Sequence, residues 1–281
     1  MILEEQLRRN IEDLWKGLDL NELEGRERLE AIVQHATAGA TTTDSVSKGQ
    51  FLYEKARALS YLGREREAEH FAISAESERP KNLLYAVLRL NLARVVHSPG
   101  SRVIIQLYAK VEANMSAHID LFLRQGAENL SPETKHLLRE YFFTASQISQ
   151  DKDTRSKYLA NAVQLSQTHE ESAEAHYYSA LEIVDLRESI PEAPQGIEHY
   201  DEAREHLMSA IAHEPKNSLY HAQLGRLYLH VGKDELAKEK FEETLKMLEV
   251  RRVLGGSALY ARTYATNGLR ILSAAPSGSG N

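Results

Sequence analysis

The histidines in the last third of the chain have the residue type and spacing that could bind a metal ion. His199, His206 and His213 follow one another at intervals of seven residues. Seven residues span two helical turns, about 10 Å, so one ion cannot bridge two of these histidines. Glu202 falls between the first two, at spacings of three and four residues, and shares a helical face with both. A site there would be weak, so we favour a solvated or interhelical polar face and predict no metal.

Other catalytic patterns are missing from the sequence. It has no cysteine, and so no thiolate nucleophile or thiolate metal site. It also lacks phosphate-binding glycine loops, the paired-histidine zinc motif and the nucleophile elbow of hydrolases. Carboxylates such as Glu170 and Glu171 are adjacent, which points them to different parts of a helix surface. We therefore predict a non-enzyme without a cofactor, and keep an enzyme with an unfamiliar site as a minor alternative.

Composition narrows the class of protein further. The chain has 281 residues, 42% of them hydrophobic and 27% charged, which is ordinary for a globular protein. A net charge of -7 argues against a nucleic-acid partner. The sequence has no apolar run of about 20 residues and no basic, apolar secretory start. We expect a cytoplasmic protein without a membrane partner.

Two short segments of the chain resemble each other. Residues 79–85 read Arg-Pro-Lys-Asn-Leu-Leu-Tyr, and residues 214–220 read Glu-Pro-Lys-Asn-Ser-Leu-Tyr. Their prolines, Pro80 and Pro215, are separated by about four periods of 34 residues. A period of that length predicts a helix–turn–helix repeat, with proline closing the second helix of each unit.

Residues 49–82 and 218–251 form the clearest repeat units. In the first, small residues recur at positions eight and twenty, Ala56 and Ala68, and Gly63 ends the first helix. In the second, Leu224-Gly225 precedes Tyr228, Ala237 precedes Phe241, Gly232 ends the first helix and Asp234 can cap the next. Ala203, Leu207, Ala210 and Pro215 match the second helix of another unit, with an insertion at 187–199. These residues resemble the tetratricopeptide-repeat (TPR) family over 49–82 and 173–251.

The resemblance implies an all-α, right-handed superhelical solenoid of antiparallel helix pairs with helical end caps. We predict one domain over residues 1–281: N-terminal capping helices and loop (1–48), repeats (49–251, degenerate in 83–172), a C-terminal capping helix (252–274) and a flexible tail (275–281). The N-terminal part would hold a second helix at 21–35 and a Thr/Ser/Gly-rich loop at 36–48. An apolar stripe, Leu7, Ile11, Leu14 and Leu18, would cover the first repeat or, alternatively, form a homodimer through this end helix.

The resemblance also implies where a ligand would bind. In TPR proteins, positions two, five, nine, twelve and thirteen of each first helix line a concave groove. Those positions correspond to Gln50, Tyr53, Arg57, Ser60 and Tyr61 in the first clear unit, and to Leu219, Ala222, Arg226, Leu229 and His230 in the last. Asn91 and Arg94 would join them from the degenerate unit that starts at Leu83. Tyrosine and arginine often anchor protein interfaces.

The predicted function is therefore that of a scaffold or adaptor that binds a protein or peptide, with an acidic or C-terminal segment as the suggested ligand. The alternatives are a sensor or regulatory module of a larger assembly and an RNA-binding helical repeat. The TPR subclass that clamps acidic chaperone tails uses lysine and asparagine where this chain has Tyr53 and Arg57, so that specialised function is disfavoured.

Overall fold

A computed structural model describes residues 2–16, 18, 23–41, 44–98, 100–183, 199–249 and 256–274. Within those ranges there are thirteen α-helices, one short 3-10 helix and no strand, which confirms the all-α prediction. The chain forms two compact units, residues 1–148 and 149–281. The single domain predicted from the sequence covers both units and stays a prediction.

The helices of the first unit are α1 (Ile2–Trp15), α2 (Leu23–Gly39), α3 (Ser45–Tyr61), α4 (Glu65–Glu78), α5 (Leu83–Val96), α6 (Arg102–Gln125) and α7 (Pro132–Ile148). The helices of the second unit are α8 (Lys152–Leu165), α9 (His169–Ile183), α10 (Tyr200–His213), α11 (Ser218–His230), α12 (Asp234–Glu249) and α13 (Gly256–Ala274).

Helices α3 and α4 form the helix pair predicted for residues 49–82. Gly63 lies between them with φ +73, a left-handed conformation that glycine adopts without strain. The Arg64 N–H then donates to the Leu59 carbonyl at 3.0 Å and closes the end of α3. Ala56 and Ala68 are fully buried where the two helices meet. Because the turn is so short, the two helices run antiparallel.

The same construction recurs in the second unit at α11 and α12. Gly232 has φ +69, and the Lys233 N–H donates to the Tyr228 carbonyl at 2.9 Å. Asp234 was predicted as a helix cap but is instead the first residue of α12. Its negative charge there stabilises the helix by interacting with the positive end of the helix dipole.

The repeated Pro-Lys-Asn segments form a turn followed by a helix cap. Asn82 donates its N–H to the Arg79 carbonyl at 3.0 Å, and Asn217 does the same to Glu214 at 3.1 Å. Each asparagine side chain then accepts a backbone N–H two residues later, from Leu84 and Leu219. The sequence likeness of these segments therefore reflects one local structure used twice.

The predicted loop at 36–48 is largely wrong. Helix α2 continues to Gly39 and α3 begins at Ser45. The continuation is stabilised by burial of Ala36, which is fully inaccessible to solvent. The Asp44 side chain accepts the Ser47 N–H at 2.7 Å and caps α3. Helices α2 and α3 thus occupy most of the segment predicted as a loop.

The N-terminal stripe covers the first repeat, as predicted. Leu7 and Ile11 are buried against Leu29, Ile32 and Phe51 of α2 and α3. This packing uses the apolar face of α1 within the chain, and a homodimer through the end helix stays a prediction.

Residues 83–172 were predicted to be degenerate repeats. They form helices that pack against neighbouring helices, but the lengths of these helices do not follow the repeat. Helix α6 has 24 residues and is capped by Ser101, and Ser131 caps α7 through the Thr134 N–H. Helices α9 and α10 pack against each other although 16 residues separate them.

Two predicted segments fall largely outside the described residues. They are the insertion predicted at 187–199, of which the structure describes only residue 199, and the flexible tail predicted at 275–281. No helix in the described ranges is both long enough and apolar enough to cross a membrane.

Candidate functional site

An aromatic cluster around Arg57 gathers several of the predicted groove residues of the first unit. The Arg57 guanidinium carbon lies 4.4 Å from the centre of the Trp15 ring and 5.7 Å from that of Tyr53. Tyr61 meets Trp15 edge to face, with ring centres 5.9 Å apart. Such contacts between a cation and aromatic faces are attractive and hold the arginine in one orientation.

Glu54 ties this cluster together. Its Oε2 accepts the indole N–H of Trp15 at 2.9 Å and an Arg57 N–H at 3.1 Å. Burial alone would lower the pKa of Arg57, but Tyr53, Glu54 and other electronegative neighbours outweigh it and the pKa is raised. Arg57 is therefore a permanent cation with a fixed carboxylate on one side.

The members of this cluster differ in how much of each residue is exposed to solvent. The Tyr61 side chain is 53% exposed, and Trp15 and Arg57 are half-buried. Tyr53 is only 7% exposed, and burial raises the pKa of its hydroxyl. Its ring stacks on Tyr85 of α5, with centres 4.9 Å apart. Tyr53 thus packs between repeats, whereas Tyr61, Trp15 and Arg57 keep part of their surface exposed to solvent.

Three other residues of the first unit were predicted to line the groove. Gln50 is half-buried on α3. Asn91 and Arg94 are half-buried on α5, and Arg94 donates to the Asn91 Oδ1 at 3.2 Å. The structure thus pairs the two predicted polar residues of α5 with each other.

In the second unit, Arg226 is enclosed and only 3% exposed. Its guanidinium carbon lies 4.4 Å from the centre of the Tyr264 ring of α13, and Nη1 donates to Gln223 Oε1 at 3.0 Å. Gln223 in turn donates to the Tyr177 hydroxyl at 3.4 Å. Burial lowers the pKa of Arg226, and burial together with the Arg226 charge lowers that of His230. Position nine of this repeat is therefore covered by the next helix.

Sequence reasoning missed Trp15 and Glu54. Trp15 belongs to an end helix outside the repeat register, so no repeat position assigned it to the groove. It is the one tryptophan of the chain, and its residue type is the signal that could have marked it.

The metal site considered at His199, Glu202 and His206 does not come together. His199 Nδ1 lies 3.5 Å from Glu202 Oε2, but His206 turns to His176 of α9 with Nδ1 atoms 2.9 Å apart. The histidines thus pair between helices and not along one helix.

No protein-family model and no curated protein matches the chain. Among solved structures it resembles the APC/C hetero-tetramer Cut9–Hcn1, with a TM-score of 0.60 and 14% identity over 95% of this chain. This similarity agrees with the repeat motifs in the sequence and with the helix pairs described above. The chain has the tetratricopeptide-repeat fold. It spans about half, 46%, of the Cut9–Hcn1 chain it matches.

Two further TPR structures show the range of similarity. TTC0263, a thermophilic TPR protein of Thermus thermophilus, has a TM-score of 0.47 and 17% identity, covering 79% of this chain and 99% of its own. YrrB, a TPR protein described as having an unusual peptide-binding site, has a TM-score of 0.39 and 15% identity, covering 84% of this chain and 99% of its own.

Proposed function

We propose that this TPR chain is a non-catalytic scaffold that binds a segment of another protein through the cluster of Trp15, Arg57 and Tyr61. The observation that carries the proposal is the combination of these three residue types, partly exposed and held by one another. Tryptophan, tyrosine and arginine are the residues most enriched among those that dominate binding energy at protein interfaces.

The cluster is prepared for binding because little side-chain freedom remains to be lost. Trp15 is fixed by its hydrogen bond to Glu54, and Arg57 by the same carboxylate and two aromatic rings. Immobilising a flexible side chain on binding costs about 0.5–1.5 kcal/mol, and a preorganised cluster avoids most of that cost.

A carboxylate on the partner would suit Arg57. The bond to Glu54 engages one of the five N–H donors of the guanidinium group, and two parallel bonds to a carboxylate need two more. An acidic side chain or a C-terminal carboxylate supplies that group. Gln50, Asn91 and Arg94 remain proposed members of this surface, and Tyr53 contributes chiefly through packing. In the second unit, Arg226 is covered by α13 and His230 is half-buried, and a role of either residue in ligand binding stays a prediction.

Site-specific photo-crosslinking identifies the partner. A photoreactive phenylalanine at position 61 should capture the bound protein from a lysate, whereas the same group at exposed Arg66 on α4 should not. The captured protein is then purified and its affinity for the wild-type chain and for variants is measured.

Arg57→Ala should weaken that affinity about thirtyfold, which corresponds to about 2 kcal/mol, and Tyr61→Ala by a similar factor. Arg66→Ala is the matched control and should change affinity less than twofold. If Arg57→Ala and Tyr61→Ala both fold and bind like wild type, this cluster is not the binding surface.

A further inference from the structure

Four histidines form a cluster between α9 and α10. His169 and His176 are seven residues apart on α9, and His206 and His213 are seven apart on α10. His169 faces His213, and His176 faces His206, with Nδ1 atoms 2.9 Å apart in each pair. The rings of His176 and His213 stack with centres 6.1 Å apart and link the two pairs.

We propose that the pair His169–His213 binds a divalent transition-metal ion of the Ni²⁺ or Cu²⁺ class. Imidazole nitrogens bind such ions at about 2.0–2.1 Å. Two nitrogens 2.9 Å apart are both within that distance when the angle at the metal is about 90°. That is the angle between neighbouring ligands in square-planar and octahedral complexes, which Cu²⁺ and Ni²⁺ favour. A tetrahedral zinc site would need the nitrogens about 3.3 Å apart.

The surroundings of this pair leave space for the other ligands of the ion. A cavity of about 330 Å³ adjoins the pair and is lined by residues 166–170, Ser172 and His213. His169 is exposed, so water can complete the coordination shell. Glu170 is also one of the residues that line this cavity.

The second pair, His176–His206, lacks these features and packs the helices together. Both rings are half-buried, and the cavity does not reach them. The second pair therefore provides a matched control within the same cluster.

Calorimetric titration of the tag-free chain, residues 1–281, with NiCl₂ tests the proposal. We expect about one Ni²⁺ per chain, whereas MgCl₂, which prefers oxygen ligands, should give no binding heat. His169→Ala and His213→Ala should each weaken Ni²⁺ binding about tenfold or more, because changing even an outer-shell partner costs about 10–100-fold. His206→Ala and exposed His70→Ala should change it less than threefold.

A thermal melt provides a second readout that does not depend on binding heat. Ni²⁺ should raise the melting midpoint of wild type by mass action, and His169→Ala should lose that increase. His169 is the exposed first residue of α9, so this variant should keep its fold, which circular dichroism checks. Absence of Ni²⁺ binding to wild type overturns the proposal, and so does equal binding by His169→Ala or a greater loss in His206→Ala.

Discussion

Tyr53 of α3 stacks on Tyr85 of α5, with ring centres 4.9 Å apart and ring planes 20° apart. The second unit has a similar contact with a larger tilt: the rings of Tyr177 of α9 and Tyr220 of α11 have centres 5.0 Å apart and planes 35° apart. In both pairs, a tyrosine at position five of one repeat meets a tyrosine at position three of the repeat that follows it. Burial raises the pKa of all four hydroxyls, that of Tyr177 to about 12. These tyrosine pairs therefore form a recurring packing contact between repeats.

The first prediction concerns this contact. Tyr53→Ala should lower the free energy of unfolding by about 3 kcal/mol, because it removes a buried ring and the stacking contact of that ring with Tyr85. Tyr53→Phe keeps the ring and should cost less than about 1 kcal/mol. Denaturant unfolding measures both, with Tyr61→Ala, at an exposed position, as the control. A Tyr53→Ala variant as stable as wild type would show that the stack does not stabilise the first unit.

The second prediction concerns Phe241 of α12, whose ring lies between two glycines. A Cβ atom on Gly225 of α11 would lie 2.7 Å from the ring, and one on Gly268 of α13 would lie 2.1 Å from it. Gly225→Leu should therefore destabilise the chain by about 1–3 kcal/mol through overpacking. Gly268→Ala should also destabilise it, because even a methyl group overlaps the ring.

A double variant tests that explanation. If overlap with the ring is the cause, Gly225→Ala combined with Phe241→Leu should lose less stability than the sum of the two single changes. Additive losses would mean that Gly225 acts through something other than its contact with Phe241.

The third prediction concerns Arg226, which the sequence assigned to ligand binding. Arg226→Ala should lower the free energy of unfolding by about 2 kcal/mol, because it removes a buried cation from the Tyr264 ring and leaves Gln223 without that donor. Arg226→Met keeps the stem packing and should recover part of the loss. Unchanged stability with weakened partner binding would instead make Arg226 a direct ligand contact.

The local parts of the fold could be predicted from the sequence because they depend on near neighbours. Gly63 and Gly232 were predicted as helix ends and mark them through their backbone conformation. The caps at Asn82 and Asn217 were not predicted, although the likeness of the two segments that contain them was. The loop at 36–48 was predicted wrongly because its Thr, Ser and Gly content suggested a break. Gly39 instead makes room for the Phe51 ring, which a Cβ atom would approach to 2.5 Å.

The parts that depend on contacts between distant segments could not be predicted in this way. The repeat pattern gives each position a face but does not say whether another helix covers it, as α13 covers Arg226. The histidine pairs were missed for the same reason. The spacing of seven on α10 is visible in the sequence, but the partners on α9 become apparent only when the two helices are packed together.

The last prediction concerns Glu76 of α4, a carboxylate that is only 5% exposed. Arg89 of α5 donates to its Oε2 and Lys110 of α6 to its Oε1, both at 2.6 Å. Burial alone would raise the pKa of the Glu76 carboxyl, but the hydrogen bonds from Lys110 and Arg89 outweigh burial and lower it. One side chain thus joins three consecutive helices of the first unit through its negative charge.

Glu76→Gln should lower the free energy of unfolding at pH 7 by about 2 kcal/mol, because it leaves two cations facing a neutral amide. Since the folded pKa is lowered, the wild-type contribution is complete above the unfolded pKa of about 4.3 and is lost as pH falls through the lower folded value. The gap between wild type and Glu76→Gln should therefore narrow when denaturant unfolding is repeated near pH 3. Exposed Glu27→Gln serves as the control and should show almost no gap at either pH. A gap that stays constant down to pH 3 would mean that Glu76 stabilises the unit through its shape and not through its charge.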